Sequence, residues 1–156
     1  MALGWTFVFG MVYMPPFFIP VLLLITLIAL PSAGVVASKT GGWSKLAKVY
    51  PDVVSYVGEE VVCSGGMGIA NYGFSLLLGG NYTGFSMKVT PWLRLGHEPL
   101  FIPWEDLAVE EIQGLFYPRV MISFKKCPGI FLRMPKKDAL KVKALAGSAK
   151  AFQNIS

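Results

Sequence analysis

The first 38 residues contain no Asp, Glu, Lys, Arg or His. A run of that length without an ionisable side chain has to be covered by lipid or by protein, because too little of it can face water. Within it FFIPVLLLITLIALPSAGVV occupies positions 17–36. As an α-helix rising about 1.5 Å per residue, those 20 residues reach about 30 Å, the hydrocarbon thickness of a bilayer. The expectation is one transmembrane helix over 16–38. Pro20 falls in its first turn, where a missing amide is harmless, whereas Pro31 would kink the last third unless neighbours satisfy the freed carbonyl. The small residues of PSAGVVAS would suit signal-peptidase cleavage. However, no Lys or Arg precedes the apolar run, and the run is longer than a signal core, so the segment reads as a retained anchor. Lys39, Lys45 and Lys48 follow the span and no charge precedes it, which puts the C-terminal part in the cytoplasm. Residues 1–15 (MALGWTFVFGMVYMP) form an apolar preface. Trp5, Phe7, Phe9 and Tyr13 suit either an interfacial helix or a packing surface for other membrane subunits; Gly4 and Gly10 are not spaced as GxxxG.

Composition supports this division. The chain is 54% hydrophobic and only 15% charged, more apolar than a soluble domain of 156 residues needs, and the excess lies before residue 39. Residues 39–148 read as one small globular domain and 149–156 as a tail. In GGWSKLAKVYPD, Trp43, Leu46, Ala47 and Tyr50 recur at helical spacing between Gly42 and Pro51. The next eighty residues alternate instead. Phe85, Met87 and Val89 oppose Ser86, Lys88 and Thr90, while Val120, Ile122 and Phe124 oppose Met121, Ser123 and Lys125. Turn signals at Gly79-Gly80-Asn81, LGHEP, Gly114 and CPG bound about seven strands: 58–64, 70–78, 82–90, 99–104, 107–113, 118–125 and 129–134. MPKKDALKVKALAG then returns to helical period, with Pro135 at its start, Asp138 in its first turn, Leu140, Ala144 and Leu145 on one side and Gly147 at its end. A curled antiparallel sheet of about seven strands closed by a C-terminal helix is the architecture of pleckstrin-homology-like domains.

GWSKLAKVY, GGMGIANYG and above all GHEPLFIPWEDL resemble small bacterial proteins that carry a hydrophobic N-terminus and a pleckstrin-homology-like domain. The resemblance covers residues 42–145. It implies that fold and a bacterial source, and it carries over no catalytic residues; with the apolar span, the expected location is a bacterial inner or intracytoplasmic membrane.

GHEPLFIPWEDL holds the only histidine, beside two prolines, a tryptophan and three carboxylates. Leu100, Ile102 and Trp104 alternate with Phe101, Pro103 and Glu105, and Pro99 and Pro103 lack amides that a central strand needs, so the motif reads as an edge strand entering a turn. Trp104 is expected to anchor a sheet corner at the core or its rim, with Glu105 and Asp106 as polar groups of that corner. His97 is expected to be a structural hydrogen-bonding group or an exposed turn residue. Trp43, Trp104 and His97 are thus structural candidates, and no catalytic residue is expected. Ser64, His97 and Asp106 supply the residue types of a hydrolytic triad, but no GxSxG surrounds any serine. Cys63 and Cys127 make no CxxC, and one histidine is a poor start for zinc, so neither metal nor cofactor is expected and the thiols read as reduced core residues. GGMGIANYG lacks both GxGxxG and GxxxxGK[ST].

Charge is distributed unevenly. Residues 52–111 carry eight acidic against two basic side chains, and residues 125–150 carry eight basic against one acidic. Lys136, Lys137, Lys141 and Lys143 are candidates for contact with anionic lipid or a partner, each adding about 1 kcal/mol of attraction near such a surface. The alternative is a solvated helix face offset by the acidic strands. The basic pattern of phosphoinositide-binding first hairpins is absent, and the basic run lacks the interleaved aromatics of a nucleic-acid surface. The sequence therefore points to a non-catalytic single-pass membrane protein whose cytoplasmic domain is an interaction or scaffolding module. The alternative is an accessory subunit of a larger respiratory or photosynthetic membrane complex. The expected partners are membrane lipids together with a protein or a complex.

Overall fold

The computed structural model describes residues 18–53, 55–114, 116–146, 152 and 155. Helix α1 (Phe18–Gly41) leads into a short α2 (Trp43–Val49). Gly42, at φ +90°, separates the two; a Cβ there would lie 3.0 Å from the Ile130 side chain, so glycine answers both the left-handed backbone and the tight space. Seven strands follow: β1 (Glu60–Met67), β2 (Ala70–Gly80), β3 (Gly84–Val89), β4 (Leu100–Pro103), β5 (Leu107–Ile112), β6 (Arg119–Phe124) and β7 (Phe131–Pro135). Each lies within three residues of its expected bounds. Helix α3 (Lys136–Ala146) closes the fold.

All seven strands belong to one antiparallel sheet in the order β4-β3-β2-β1-β7-β6-β5. The meander is interrupted only between β4 and β5, and β7 comes back to pair with β1 through Gly66↔Arg133 and Met67↔Leu132. The sheet thus curls into a half-barrel whose concave side is the core. The alternation read from the sequence supplies that core: Phe85, Met87, Val89, Leu100, Ile102, Val120, Ile122 and Phe124 are all buried. β4 is an edge strand, as Pro99 and Pro103 require, and its outer side is partly covered where Pro51 bridges Leu100 and the Phe101 amide donates to the Tyr50 carbonyl. Two residues of the segment read as a tail, Phe152 and Ile155, lie in the core as well.

The face of α3 differs from expectation. Ala139 and Val142 are fully buried and Asp138 nearly so, while Leu140 is 40% exposed. Alanine at the contact brings the helix close to the sheet, and the Asp138 carboxylate Oδ2 accepts the Ser64 amide of β1 at 3.1 Å. That amide is left free because a bulge between Cys63 and Gly65 breaks the β1–β2 register. The helix turns its Asp138 carboxylate toward the strand amide that needs an acceptor, and leucine periodicity is overruled.

The N-terminal expectation is met only in part. Residues 1–17, including Trp5, Phe7, Phe9 and Tyr13, lie outside the described residues. So do the side chains of Ile28, Leu30, Pro31 and Ala33, although α1 runs unbroken from Phe18 to Gly41. Among the described residues no helix is long and apolar enough to cross a membrane. Large apolar side chains in the first half of α1, from Phe18 to Leu27, are 47% to 72% exposed.

Candidate functional site

The motif around His97 forms a joint between α1 and the sheet. After β3 the chain makes a short 3₁₀ turn, Pro91–Leu93, then runs down the flank of α1. A Cβ added at Gly34 would lie 3.1 Å from the Leu95 carbonyl oxygen and 3.5 Å from that of Leu93. One turn further along, Gly96 faces the Val35 backbone, its ideal Cβ position being 3.1 Å from Val35 Cα, and it takes φ +79°, which glycine allows. The buried Ser38 hydroxyl donates to the Gly96 carbonyl. Lower still, the Trp43 indole Nε1 donates to the Glu98 carbonyl at 2.8 Å. Gly34, Ser38 and Trp43 thus read successive levels of one loop.

His97 closes the inner side of this joint. It is 2% exposed. Its Nε2 lies 2.9 Å from the Tyr72 hydroxyl and its Nδ1 3.3 Å from the Leu95 carbonyl. A carbonyl can only accept, so the proton belongs on Nδ1, and Nε2 accepts from Tyr72. The Trp43 ring meets the imidazole edge-on at 5.0 Å and 72°. Burial drives the His97 pKa below its ordinary value, outweighing the Leu95 and Leu93 carbonyls, which favour the charged ring. Burial likewise pushes the Tyr72 hydroxyl up to about 12. Buried and hydrogen-bonded to Tyr72 and Leu95, His97 is not an exposed turn residue.

Trp104 occupies the other end of the motif, in the 3₁₀ turn Trp104–Asp106 that carries β4 into β5. It lies at the rim of the core, against Phe85 and, edge-on at 5.8 Å, Phe152. Its Nε1 donates to the Asn81 carbonyl at 2.6 Å, and the Asn81 side chain accepts the Thr83 and Gly84 amides to shape the β2–β3 turn. Asp106 is buried and paired with Lys126 at 2.7 Å, and Glu105 is exposed.

Ser64, His97 and Asp106 are not brought together as a relay. Ser64 Oγ accepts the Phe74 amide, His97 meets Tyr72 and Leu95, and Asp106 meets Lys126. Cys63 and Cys127 are free and buried; burial, helped by the nearby Asp138 charge, raises the Cys63 thiol to about 11. Among the described residues no group of three or more His, Cys, Asp and Glu side chains could hold a metal.

The four candidate lysines do not form one free surface. Lys136 pairs with Glu111 of β5 at 3.1 Å, Lys141 with Asp138 at 2.8 Å, and Lys143 donates to the Ile155 carbonyl. Lys137 and Lys141 point outward, with Lys137 beside a surface cavity of about 540 Å³ lined by Ser64, Phe74, Tyr117 and Pro135. The acidic strands offset part of the basic helix, as the sequence allowed.

Sequence reasoning missed Ser38, Tyr72 and Gly34 as members of the joint. Tyr72 sits in the glycine-rich GGMGIANYG, where an isolated aromatic between glycines was the one available sign of a packing site. No protein-family model, curated protein or solved structure matches this chain.

Proposed function

We propose that the chain is a single-pass membrane protein, without catalytic activity, whose pleckstrin-homology-like domain is held at the inner membrane face as an interaction or scaffolding module. One observation carries this reading: α1 is built into the domain at its C-terminal end and bare at its other end. Gly34, Ser38 and Gly41 are buried against the loop and the β1–β2 hairpin, whereas Phe18 to Leu27 expose large apolar side chains. The sequence carries no ionisable group from position 17 through Ser38, including the four positions whose side chains are undescribed, and this is long enough for a bilayer. Lys39, Lys45 and Lys48, all exposed, mark the cytoplasmic end by the positive-inside bias. The return of β7 to β1 with α3 beside them is the arrangement expected of a pleckstrin-homology-like domain and supports that part of the proposal.

An accessory subunit of a larger membrane complex is the second reading. It is favoured by the further uncharged residues ahead of α1, more than a simple anchor needs. Expression of the full chain in a bacterium tests both. It should stay in the membrane pellet after an alkaline carbonate wash, and an alkaline-phosphatase fusion after Ser156 should be inactive where a green-fluorescent fusion is bright. Release by carbonate, or the opposite fusion pair, would overturn the anchored reading. Mild-detergent native gels then separate the two: a discrete stoichiometric assembly favours the subunit, and a free monomer the module.

A further inference from the structure

The loop that grips α1 leaves its outer side apolar. Trp92 is 70% exposed and Leu95 57%, though the backbone of the same loop is pressed against Gly34 and Val35. Val35, whose side chain lies beside Gly96, is also exposed, so an apolar side chain of the helix adjoins the loop at that level. Pro91 and Arg94 complete the outer side, and Arg94 is exposed. Glu98, the one acidic residue of the loop, lies lower, at the level where its carbonyl meets Trp43.

The height of this patch is fixed by the helix. Gly34 precedes Lys39 by five residues, which on an α-helix is about 7 Å further toward the apolar end. If Lys39, Lys45 and Lys48 stand among headgroups, Trp92 and Leu95 lie at the boundary of headgroups and acyl chains. Partly inserted apolar side chains reach about 5–10 Å below the surface in such positions. Tryptophan is the residue best suited to that zone, with an apolar ring and a donor that reaches water, and Arg94 can extend its charge outward to phosphates.

We infer that the segment Pro91-Trp92-Leu93-Arg94-Leu95 is a second membrane contact, a shallow wedge inserted beside α1 into the lipid interface. It rests on the reading of α1 as a bilayer anchor and adds to it a fixed orientation. A single helix could let the domain swivel, whereas a helix and a wedge on one rigid joint hold the same side of the half-barrel toward the membrane. At the β1–β2 turn Gly68 lies against Thr40 and Gly41, and the next residue, Ile69, is exposed.

The test uses the full chain reconstituted in vesicles of phosphatidylcholine and phosphatidylglycerol, with bromine on the acyl chains at shallow or deep positions. Subtracting the emission of Trp92→Phe from that of the parent isolates Trp92, an exposed side chain whose replacement leaves the core untouched. That emission should be blue-shifted, lose most of its intensity to shallow bromines and less to deep ones, and resist aqueous iodide. A Leu95→Cys variant gives a second reading. Its thiol should be blocked from a membrane-impermeant maleimide in vesicles and react after detergent is added, above the background of the buried Cys63 and Cys127. Iodide quenching of Trp92 with free labelling at position 95, in protein that withstands carbonate, would overturn the wedge and leave the anchor standing. Release by carbonate would overturn both.

Discussion

The joint around His97 and the basic end around α3 both depend on buried polar groups, but they use them differently. In the joint, Ser38, Trp43, Tyr72 and His97 are all buried, and their hydrogen bonds run between uncharged groups. At the basic end one carboxylate, Asp138, is buried while its ion partner Lys141 remains half in water. Neutral hydrogen bonds sealed from solvent fix geometry, and half-exposed ion pairs contribute little because water and salt compete for both ends. Rigidity therefore resides where the helix meets the sheet. At the basic end Ala139, Val142 and the Asp138–Ser64 contact hold α3, and its lysines add surface ion pairs.

The comparison is broken most severely by removing an aromatic anchor. Trp43→Ala empties a fully buried site and orphans the Glu98 carbonyl, and it should cost about 3–5 kcal/mol, most of the stability of so small a domain. Trp104→Ala should fall toward the lower end of that range, because the ring lies at the rim. Urea unfolding of the full chain in mild detergent measures both; equal and small effects would mean that the motif is not architectural.

Single polar deletions come next. Tyr72→Phe leaves His97 Nε2 without its donor, and Asp138→Ala leaves the bulged Ser64 amide without its acceptor, so each should cost about 1–3 kcal/mol in the same unfolding measurement. Lys141→Gln should leave the unfolding midpoint unchanged, since the carboxylate keeps the Ser64 amide. If Lys141→Gln destabilised the chain as much as Asp138→Ala, the ion pair rather than the amide contact would hold α3 in place.

Much of this was legible before any coordinate. Strand alternation, turn glycines and the closing proline located the seven strands among the described residues and α3, because period-two burial and turn chemistry are local properties. Trp104 at a corner followed from the alternation of Leu100, Ile102 and Trp104 together with the two prolines, Pro99 and Pro103. What escaped was set by distance along the chain: Tyr72 meets His97 across 25 residues and Ser38 meets Gly96 across 58. The α3 face was misread for the same reason, since its orientation answers a strand bulge that alternation does not announce. Burial of His97 and exposure of Trp92 follow from where α1 lies against the loop, a tertiary fact with no periodic signature.

The pH response of the joint follows from the buried imidazole. With its folded pKa below the ordinary value of about 6.5, the native state binds fewer protons than the unfolded chain, so stability rises with pH through this range. The contribution is fully present above about pH 6.5 and is lost as pH falls through the folded pKa, where a protonated Nε2 can no longer accept from Tyr72. Unfolding midpoints should therefore drop on mild acidification, and the drop should be smaller in Tyr72→Phe, where the accepting role has already been vacated.

Because His97 is the only histidine, its ring can be observed alone. Nitrogen and proton resonances of the imidazole, followed through a pH titration of the full chain in nanodiscs, test the central claim that this motif is a sealed joint and not a reacting site. The joint predicts a neutral ring with the proton on Nδ1, a pKa below about 6.5, and slow solvent exchange of that proton. A ring that titrates at or above the ordinary value with rapid exchange would contradict it, placing His97 in solvent and detaching the loop from α1.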